Sequence, residues 1–465
     1  MLLKKLIKNL PKETKNIKIK GLALNSRKVK KGFIFFAIRG NKFNGEKFIY
    51  EAIKNGAAVI ICSKNSRYQS KKIPIIKTSN IRYFLSEISS KFYSLKPKNI
   101  IAVTGTNGKT SVADLFYQIL NLNNIPVASI GTLGIKYKNK RIKSNLTSPD
   151  TISLHKTLEK IKRSKIDNVI LEASSHGLDQ KRVEHLNFSA AIFTNFSQDH
   201  LDYHRTMKSY LKAKLVLFKK ILPKKKIVIS DKSIKEYSIL KKICKKRELH
   251  LINALSIKKK LEKNLDSQLN EFQLKNLSMA TVAAQLCNLK EKKIFQTFKK
   301  IKDVDGRMQL IKSFPNGVKV FVDFAHTPDA LQKTLTSLKN SVSGDISLVF
   351  GCGGDRDFKK RPLMAKIGSN LCKKIYVTDD NPRNENPGKI RKEIIKNIKN
   401  KNCLNIGNRA KAIRTAILNA EPNETILISG KGHEDQQIYK NKILKISDKT
   451  IIKKIKLKIK KKTQE

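Results

Sequence analysis

Tryptophan is absent, and acidic residues are scarce: 37 Asp and Glu face 98 Lys and Arg, a formal net charge of +61. Arginine is scarce as well, supplying 16 of the basic residues against 82 lysines spread along the whole chain. Recognition of bases and phosphates leans on the planar, bidentate guanidinium. A diffuse lysine excess is therefore weak support for a nucleic-acid partner, and none is expected. Lys, Ile and Asn are all abundant, which fits a coding bias toward AT-rich codons. The six cysteines (Cys62, Cys244, Cys287, Cys352, Cys372 and Cys403) include no C-x-x-C pair and have no histidine at zinc-ligand intervals. Neither a disulfide framework nor a zinc site is indicated. No stretch approaches the ~18 apolar residues of a membrane span, and Met1 to Lys8 lacks a signal-peptide core. The expected setting is cytoplasmic, without a membrane partner.

What is present is enough chain for about three domains, at roughly 150 residues each. Residues 1–97 read as a small mixed α/β unit with strands at Gly32–Ala37 and Ala57–Ile61, closed by a hinge at Leu95-Lys96-Pro97-Lys98. Residues 98–305 alternate short apolar runs with longer helical patterns, as a buried parallel sheet requires. Those runs are Ile100–Val103, Val169–Leu171 and Ala190–Phe193, and the Lys-rich stretch 219–263 reads as surface elaboration. Residues 306–465 repeat the pattern at Val318–Val322, Ile346–Phe350, Ile375–Val377 and Ile426–Ile428, before a basic tail at Lys453–Lys462. The fold class is α/β: a P-loop-type central domain, a Rossmann-like C-terminal domain and a small N-terminal one.

In open parallel sheets the chemistry gathers at the carboxyl ends of strands. The first central run leads into Thr104-Gly105-Thr106-Asn107-Gly108-Lys109-Thr110-Ser111 and then a helical pattern. A strand, a Gly-rich turn and a helix N-terminus aim backbone N–H groups at one point, which suits the phosphates of ATP. Lys109 neutralises the outer phosphates in this reading, and the Thr110 hydroxyl serves Mg²⁺. Val103 stands where the strict phosphate-loop pattern has its first glycine. The second run ends in Glu172, a natural Mg²⁺ ligand beside a phosphate loop. The third ends in Thr194-Asn195, followed by Asp199-His200-Leu201-Asp202-Tyr203-His204. Two His and two Asp in six residues at a strand end favour a site over a structural role.

Together these segments resemble the Mur ligases, the ATP-dependent amide-forming enzymes of peptidoglycan precursor synthesis. The resemblance includes Thr104–Thr110, Glu172–Gly177, Thr194–His204, Gly306-Arg307-Met308 and Asp323–Pro328, in order over nearly the whole chain. Within that family, Gly351–Asp357, Asp380-Asn381-Pro382-Arg383 and Gly430–Glu434 look like the member that adds meso-diaminopimelate to UDP-N-acetylmuramoyl-L-alanyl-D-glutamate. The resemblance implies that Arg356, Asp380, Asn381, Pro382, Arg383, Gly430 and Glu434 hold diaminopimelate. It gives Leu24, Ser26, Asn41, Lys42 and Phe43 to the UDP moiety, and Thr147, Ser148, Ser174, Gln180 and Arg182 to the muramoyl dipeptide. ATP is served by Gly105 to Ser111 with Asn276, Arg307 and Asp323. The catalytic and metal-side group is Lys109, Thr110, Glu172, His200 and Lys214, the last as a carbamate.

The match has chemical sense. Arg356 and Arg383 can clamp a carboxylate bidentately, and Glu434 can pair with the far ammonium. Lysine lacks the far carboxylate and leaves Arg383 unpaired, at ~1–3 kcal/mol or more. Asn25, Leu146, Gln273 and Gln309 depart from the family's usual residues. A lysine-adding relative, a folylpolyglutamate synthetase-like ligase and a nucleic-acid-stimulated P-loop ATPase are the alternatives. A monomer with hinge motion near Pro97 and Arg307 is expected.

Overall fold

The computed structural model describes residues 1–40, 44–144, 146–265, 269–399 and 402–456. Three sheets follow one another along the chain, each fed by the apolar runs seen in the sequence. The first contains β1 (Gly21–Ala23), β2 (Phe33–Phe36), β3 (Ala57–Ser63) and β4 (Ile75–Thr78), all parallel and in chain order. The second contains β5 (Asn99–Thr104), β6 (Val127–Gly131), β7 (Gly134–Tyr137), β8 (Lys140–Ile142), β9 (Asn168–Glu172), β10 (Ala190–Phe193), β11 (Ile227–Ser230) and β12 (His250–Asn253). Its order is β12-β11-β10-β5-β9-β6-β7-β8, parallel except for the β7–β8 edge.

The third sheet contains β13 (Gln309–Ser313), β14 (Lys319–Asp323), β15 (Ile346–Phe350), β16 (Lys374–Val377), β17 (Cys403–Asn405) and β18 (Thr425–Ser429). Its order is β13-β14-β18-β15-β16-β17, with only the edge strand β13 antiparallel. A hairpin of β19 (Gln436–Tyr439) and β20 (Lys442–Lys445) follows. The expected α/β class is therefore what forms.

Near-continuous apolar strands arise because each sheet is covered on both faces. Ile100, Val169 and Leu171 pack into one cluster of the second sheet, whereas Ile101, Val103 and Ile170 pack into the opposite one. Leu348 and Phe350 against Val349 divide the third sheet in the same way.

One expectation is corrected. The Lys-rich stretch 219–263 is not surface elaboration, because β11 and β12 within it extend the central sheet. Val228 and Ile229 are fully buried on its two faces. The lysine-dense segments before these strands, at Lys224–Lys226 and Lys241–Lys246, mask their short apolar cores in the sequence. The basic tail is described only to Lys456, and residues 457–465 lie outside the described residues. Among the described residues no helix is long and apolar enough to cross a membrane.

Candidate active site

The phosphate loop runs from the carboxyl end of β5 into the helix Lys109–Leu122. Gly105 and Gly108 both have positive φ, +145° and +84°. A Cβ at Gly105 would stand 1.9 Å from Thr194 Oγ1. No larger residue fits there. Lys109 Nζ donates to the carbonyl oxygens of Gly105 (2.9 Å) and Thr106 (2.8 Å), folding back over the loop. Burial lowers its pKa, against the opposing pull of Glu172 and Asp199.

Glu172, at the tip of β9, is 1% exposed and faces the first turn of that helix. Its Oε2 accepts from Thr110 Oγ1 at 3.0 Å and from Thr132 Oγ1 at 3.0 Å, while Oε1 accepts from Thr132 N at 2.8 Å. Thr132 follows the end of β6 and was not singled out from the sequence. Its only signal was its position beyond a strand end. Among the described residues no group of three or more His, Cys, Asp or Glu could hold a metal ion. The donor set still fits Mg²⁺, which takes one or two carboxylates and leaves other positions to water and substrate phosphates. Thr110 and Glu172 offer hard oxygens beside the loop.

Beyond β10 a second group forms around Asp199. Its Oδ2 lies 3.2 Å from His200 Nε2 and 3.6 Å from His326 Nε2, so residues of the central and C-terminal sheets meet at one carboxylate. Burial would raise this carboxyl, but His200, His326 and Lys360 outweigh it and hold it well below the usual range. Desolvation pushes His200 down to about 3 despite Asp199. Lys214 lies 1% exposed, with Nζ donating to Gly105 O at 2.6 Å and 4.4 Å from the centroid of Tyr210. Burial first, then the neighbouring Lys109, hold its ammonium well below the ordinary lysine range.

From the third sheet, Arg307 Nη2 donates to Thr110 Oγ1 at 3.2 Å, and its guanidinium stacks 4.5 Å from the centre of Phe324. Asp323, ending β14, accepts from the backbone of Met308 (2.6 Å) and Ala325 (2.7 Å). Burial raises its carboxyl against the pull of Arg307. Asn276 meets Gly108 closely: a Cβ on that glycine would lie 2.5 Å from Asn276 Oδ1.

The Asp380–Arg383 segment follows β16. Arg383 has φ +53° and is held by N donating to Ile438 O at 3.0 Å and Nη1 to Gly354 O at 2.8 Å. Asn381 Nδ2 donates to Glu434 Oε2 at 3.1 Å. Arg356 Nη1 faces Asp202 at 3.7 Å, and Gly430 follows β18.

One cavity of about 1590 Å³ joins most of these groups, although Gly105 and Glu172 do not line it. Thr106 to Ser111, Asn276, Arg307 and Asp323 line it, together with His200, Lys214, Arg356, Asp380, Asn381, Arg383, Gly430 and Glu434. The carboxyl ends of two parallel sheets thus open onto a shared cleft. Thr147 and Ser174 also line it, whereas Ser148, Gln180, Arg182 and Pro382 do not. Ser148 is buried, and its hydroxyl donates to Glu172 O (2.8 Å) and contacts Ser174 Oγ (3.0 Å). Arg182 binds Ser148 O (2.9 Å) and Gln180 Oε1 (2.7 Å), and so braces the strand-end loops from behind. Ser26 donates to Glu51 at 2.7 Å, and Leu24 packs on the core of the first sheet; neither lines this cavity. Asn41, Lys42 and Phe43 lie outside the described residues.

Of the departures, Asn25 caps its turn by accepting from Arg27 N at 2.9 Å, a role its amide oxygen fills. Gln273 closes a capping box with Asn270. Gln309 Oε1 accepts from Gly306 N at 3.0 Å.

A glycine-formed phosphate loop, a carboxylate at the next strand end and a basic cleft shared with a second sheet define a nucleotide-dependent transferase or ligase. Comparison narrows the class. Family models match residues 18–93 (Mur ligase family, catalytic domain), 103–298 (Mur ligase middle domain) and 306–432 (Mur ligase, glutamate ligase domain). A protein of Rickettsia bellii named UDP-N-acetylmuramoyl-L-alanyl-D-glutamate--2,6-diaminopimelate ligase is 39% identical over 458 residues, covering 92% of this chain and 94% of its own. A Brucella melitensis protein of the same name is 35% identical over 460 residues, covering 94% of each. A solved structure with that name superposes with a TM-score of 0.66 at 27% identity, over 97% of this chain and 98% of the other. A Mycobacterium tuberculosis folylpolyglutamate synthase complexed with ADP shares the fold, with a TM-score of 0.61 at 16% identity over 76% of this chain and 92% of its own. The chain belongs to the Mur ligase family.

Proposed function

We propose that this ligase joins meso-diaminopimelate to the D-glutamyl γ-carboxyl of UDP-N-acetylmuramoyl-L-alanyl-D-glutamate, converting ATP to ADP and phosphate. The observation that carries the reading is the single cavity lined by both Gly108 and Asn381. A terminal phosphate and a distant amino-acid end can converge there. A carboxylate is a poor electrophile, so the γ-phosphoryl passes to it first, forming an acyl phosphate and releasing ADP. The free amine then attacks the carbonyl carbon, and phosphate leaves the tetrahedral intermediate as the amide forms.

Lys109 and the loop N–H groups stabilise charge on the phosphoryl oxygens, and Arg307 reaches the same place. Asn276 and Asp323 hold the rest of the nucleotide. Thr110 and Glu172, with His200 and a Lys214 carbamate, would hold Mg²⁺, whose chemistry when bound is to neutralise phosphate oxygens. Lys214 suits that modification because burial favours its neutral amine. The neutral nitrogen bonds the carbon of CO₂ and loses one proton, so a buried uncharged amine beside Lys109 becomes an anion. Arg356, Asp380, Asn381, Arg383, Gly430 and Glu434 receive the far zwitterionic end of diaminopimelate. Thr147 and Ser174 face the dipeptide, with Ser148, Gln180 and Arg182 bracing them. The unit 1–97 takes the UDP moiety through Leu24, Ser26 and Asn41 to Phe43; units 98–305 and 306–465 take ATP and the amino acid. The enzyme is proposed to work as a cytoplasmic monomer.

Lys109→Ala is expected to abolish ADP release that depends on both the UDP-dipeptide and diaminopimelate, as followed by a coupled assay. Near-normal turnover overturns the assignment. Replacing diaminopimelate by L-lysine in the wild-type assay is expected to remove most activity.

A further inference from the structure

Lys431 is a buried cation in the amino-acid wall to which the reading above gives no task. It is 1% exposed and does not line the cavity, whereas its neighbours Asn381 and Glu434 do. Its Nζ donates to Glu434 Oε2 at 2.9 Å and to Asn381 Oδ1 at 3.1 Å. Asn381 Nδ2 donates to the same Glu434 oxygen at 3.1 Å, so three side chains close a triangle. Asn381 is pinned in turn by Ile438 N, which donates to its Oδ1 at 2.9 Å. Asp380 stands on the other side of Gly430: a Cβ on that glycine would lie 2.7 Å from Asp380 Oδ2. Burial would raise the Asp380 carboxyl, but Lys431, foremost among the nearby cations, helps hold it below the usual range.

We propose that Lys431 is a positioning and specificity-determining residue: from behind the wall it fixes Asn381 and Glu434 for the far end of diaminopimelate and balances the charge of that wall. The inference rests on the diaminopimelate reading. The far end of that substrate is a zwitterion with no net charge, so it fits a wall in which carboxylates and cations balance. The far end of lysine is a bare ammonium and prefers a wall with excess negative charge. Removing the Lys431 ammonium leaves Asp380 and Glu434 facing the site with one cation fewer. It also frees the Glu434 side chain from its charged partner.

The test uses full-length Lys431→Met and Lys431→Gln, with kcat and KM measured for meso-diaminopimelate and L-lysine at saturating ATP and UDP-dipeptide. In Lys431→Met the KM for diaminopimelate is expected to rise about tenfold to a hundredfold, the range for losing a charged hydrogen-bond partner. Its KM for ATP stays near wild type, and kcat/KM for lysine holds or rises. Lys431→Gln keeps neutral donors for both partners and recovers part of the diaminopimelate KM. An unchanged KM for diaminopimelate, a loss confined to kcat, or an equal fall for both amino acids overturns the role. If Lys431→Met does not fold, the ratio of kcat/KM for diaminopimelate to that for lysine in Lys431→Gln decides: a lowered ratio supports the role and a wild-type ratio overturns it. A wild-type enzyme that uses lysine but not diaminopimelate overturns the substrate reading, and this inference with it. Normal diaminopimelate use combined with an indifferent Lys431→Met overturns the inference alone.

Discussion

Gly108 occupies left-handed backbone (φ +84°) at the mouth of the phosphate loop, where a Cβ would come within 2.5 Å of Asn276 Oδ1. Alanine there meets two obstacles, since left-handed backbone costs an L-residue roughly 1–2 kcal/mol and the Asn276 amide must move. Gly108→Ala is expected to weaken ADP binding by about tenfold, the equivalent of ~1.4 kcal/mol, as titration calorimetry would record. An unaltered dissociation constant would mean that the loop does not use this backbone shape to cradle phosphate. The lysines teach a related lesson. Lys109, Lys214 and Lys431 are chemically identical to the other 79 in the chain. Only their burial and neighbours separate them from a solvated face.

Two helices of the C-terminal unit are tied by a buried ion pair that contributes no chemistry. Arg409 opens the helix Arg409–Leu418, and Asp448 opens the helix Asp448–Lys454. Arg409 Nε and Nη2 donate to the two Asp448 oxygens, each at 2.8 Å, and Nη2 also reaches Ser429 O at 3.0 Å. The side chains are 0% and 1% exposed. Removing one partner of such a pair strands the other charge without water. Asp448→Ala is expected to lower unfolding stability by about 3–5 kcal/mol in a urea titration. The double change Arg409→Met with Asp448→Leu should lose markedly less. If the single and double variants lose alike, the pair acts through packing and not through a stranded charge. Ser429 ends the strand that leads to Gly430, so this tie also steadies one wall of the cleft.

Contacts between the central and C-terminal units close the cleft. Asn107 Nδ2 donates to Asp329 at 2.8 Å, Gln198 Nε2 to Asp357 at 3.1 Å, and Lys143 pairs with Asp435 at 2.8 Å. The last pair is exposed, and such pairs contribute ~0–1 kcal/mol. Polar contacts of this kind permit domain motion, and three substrates must enter before water is excluded. The ligand-free double variant Asp329→Ala/Asp357→Ala is expected to show a larger radius of gyration than wild type by small-angle X-ray scattering. An ATP analogue with the UDP-dipeptide should restore compactness. Identical scattering from both proteins would mean that these contacts do not hold the closed form.

Much of this architecture was legible along the chain, for one physical reason. Parallel strands covered on both faces must be apolar throughout, so runs such as Ile100–Val103 and Ile346–Phe350 announce themselves, and the polar residues that follow mark the cleft. Gly105 to Thr110 were readable on that ground, whereas Asp380 to Arg383 by itself reads as a Pro-containing turn and stood out only through the family resemblance. The strands β11 and β12 were not readable, because the lysine-dense segments before them, at Lys224–Lys226 and Lys241–Lys246, made the whole stretch read as solvated surface. Sequence order by itself determined the long apolar strands, the loops at their carboxyl ends and the chemical types available there. Tertiary structure alone decided that Thr132 grips Glu172, that His326 and His200 share Asp199, and that Lys431 stands behind Glu434. Thr132 with Glu172, Asp199 with His326 and Lys431 with Asn381 are pairings of residues far apart in sequence. Their strength comes from desolvation, which exists only once the sheets have packed.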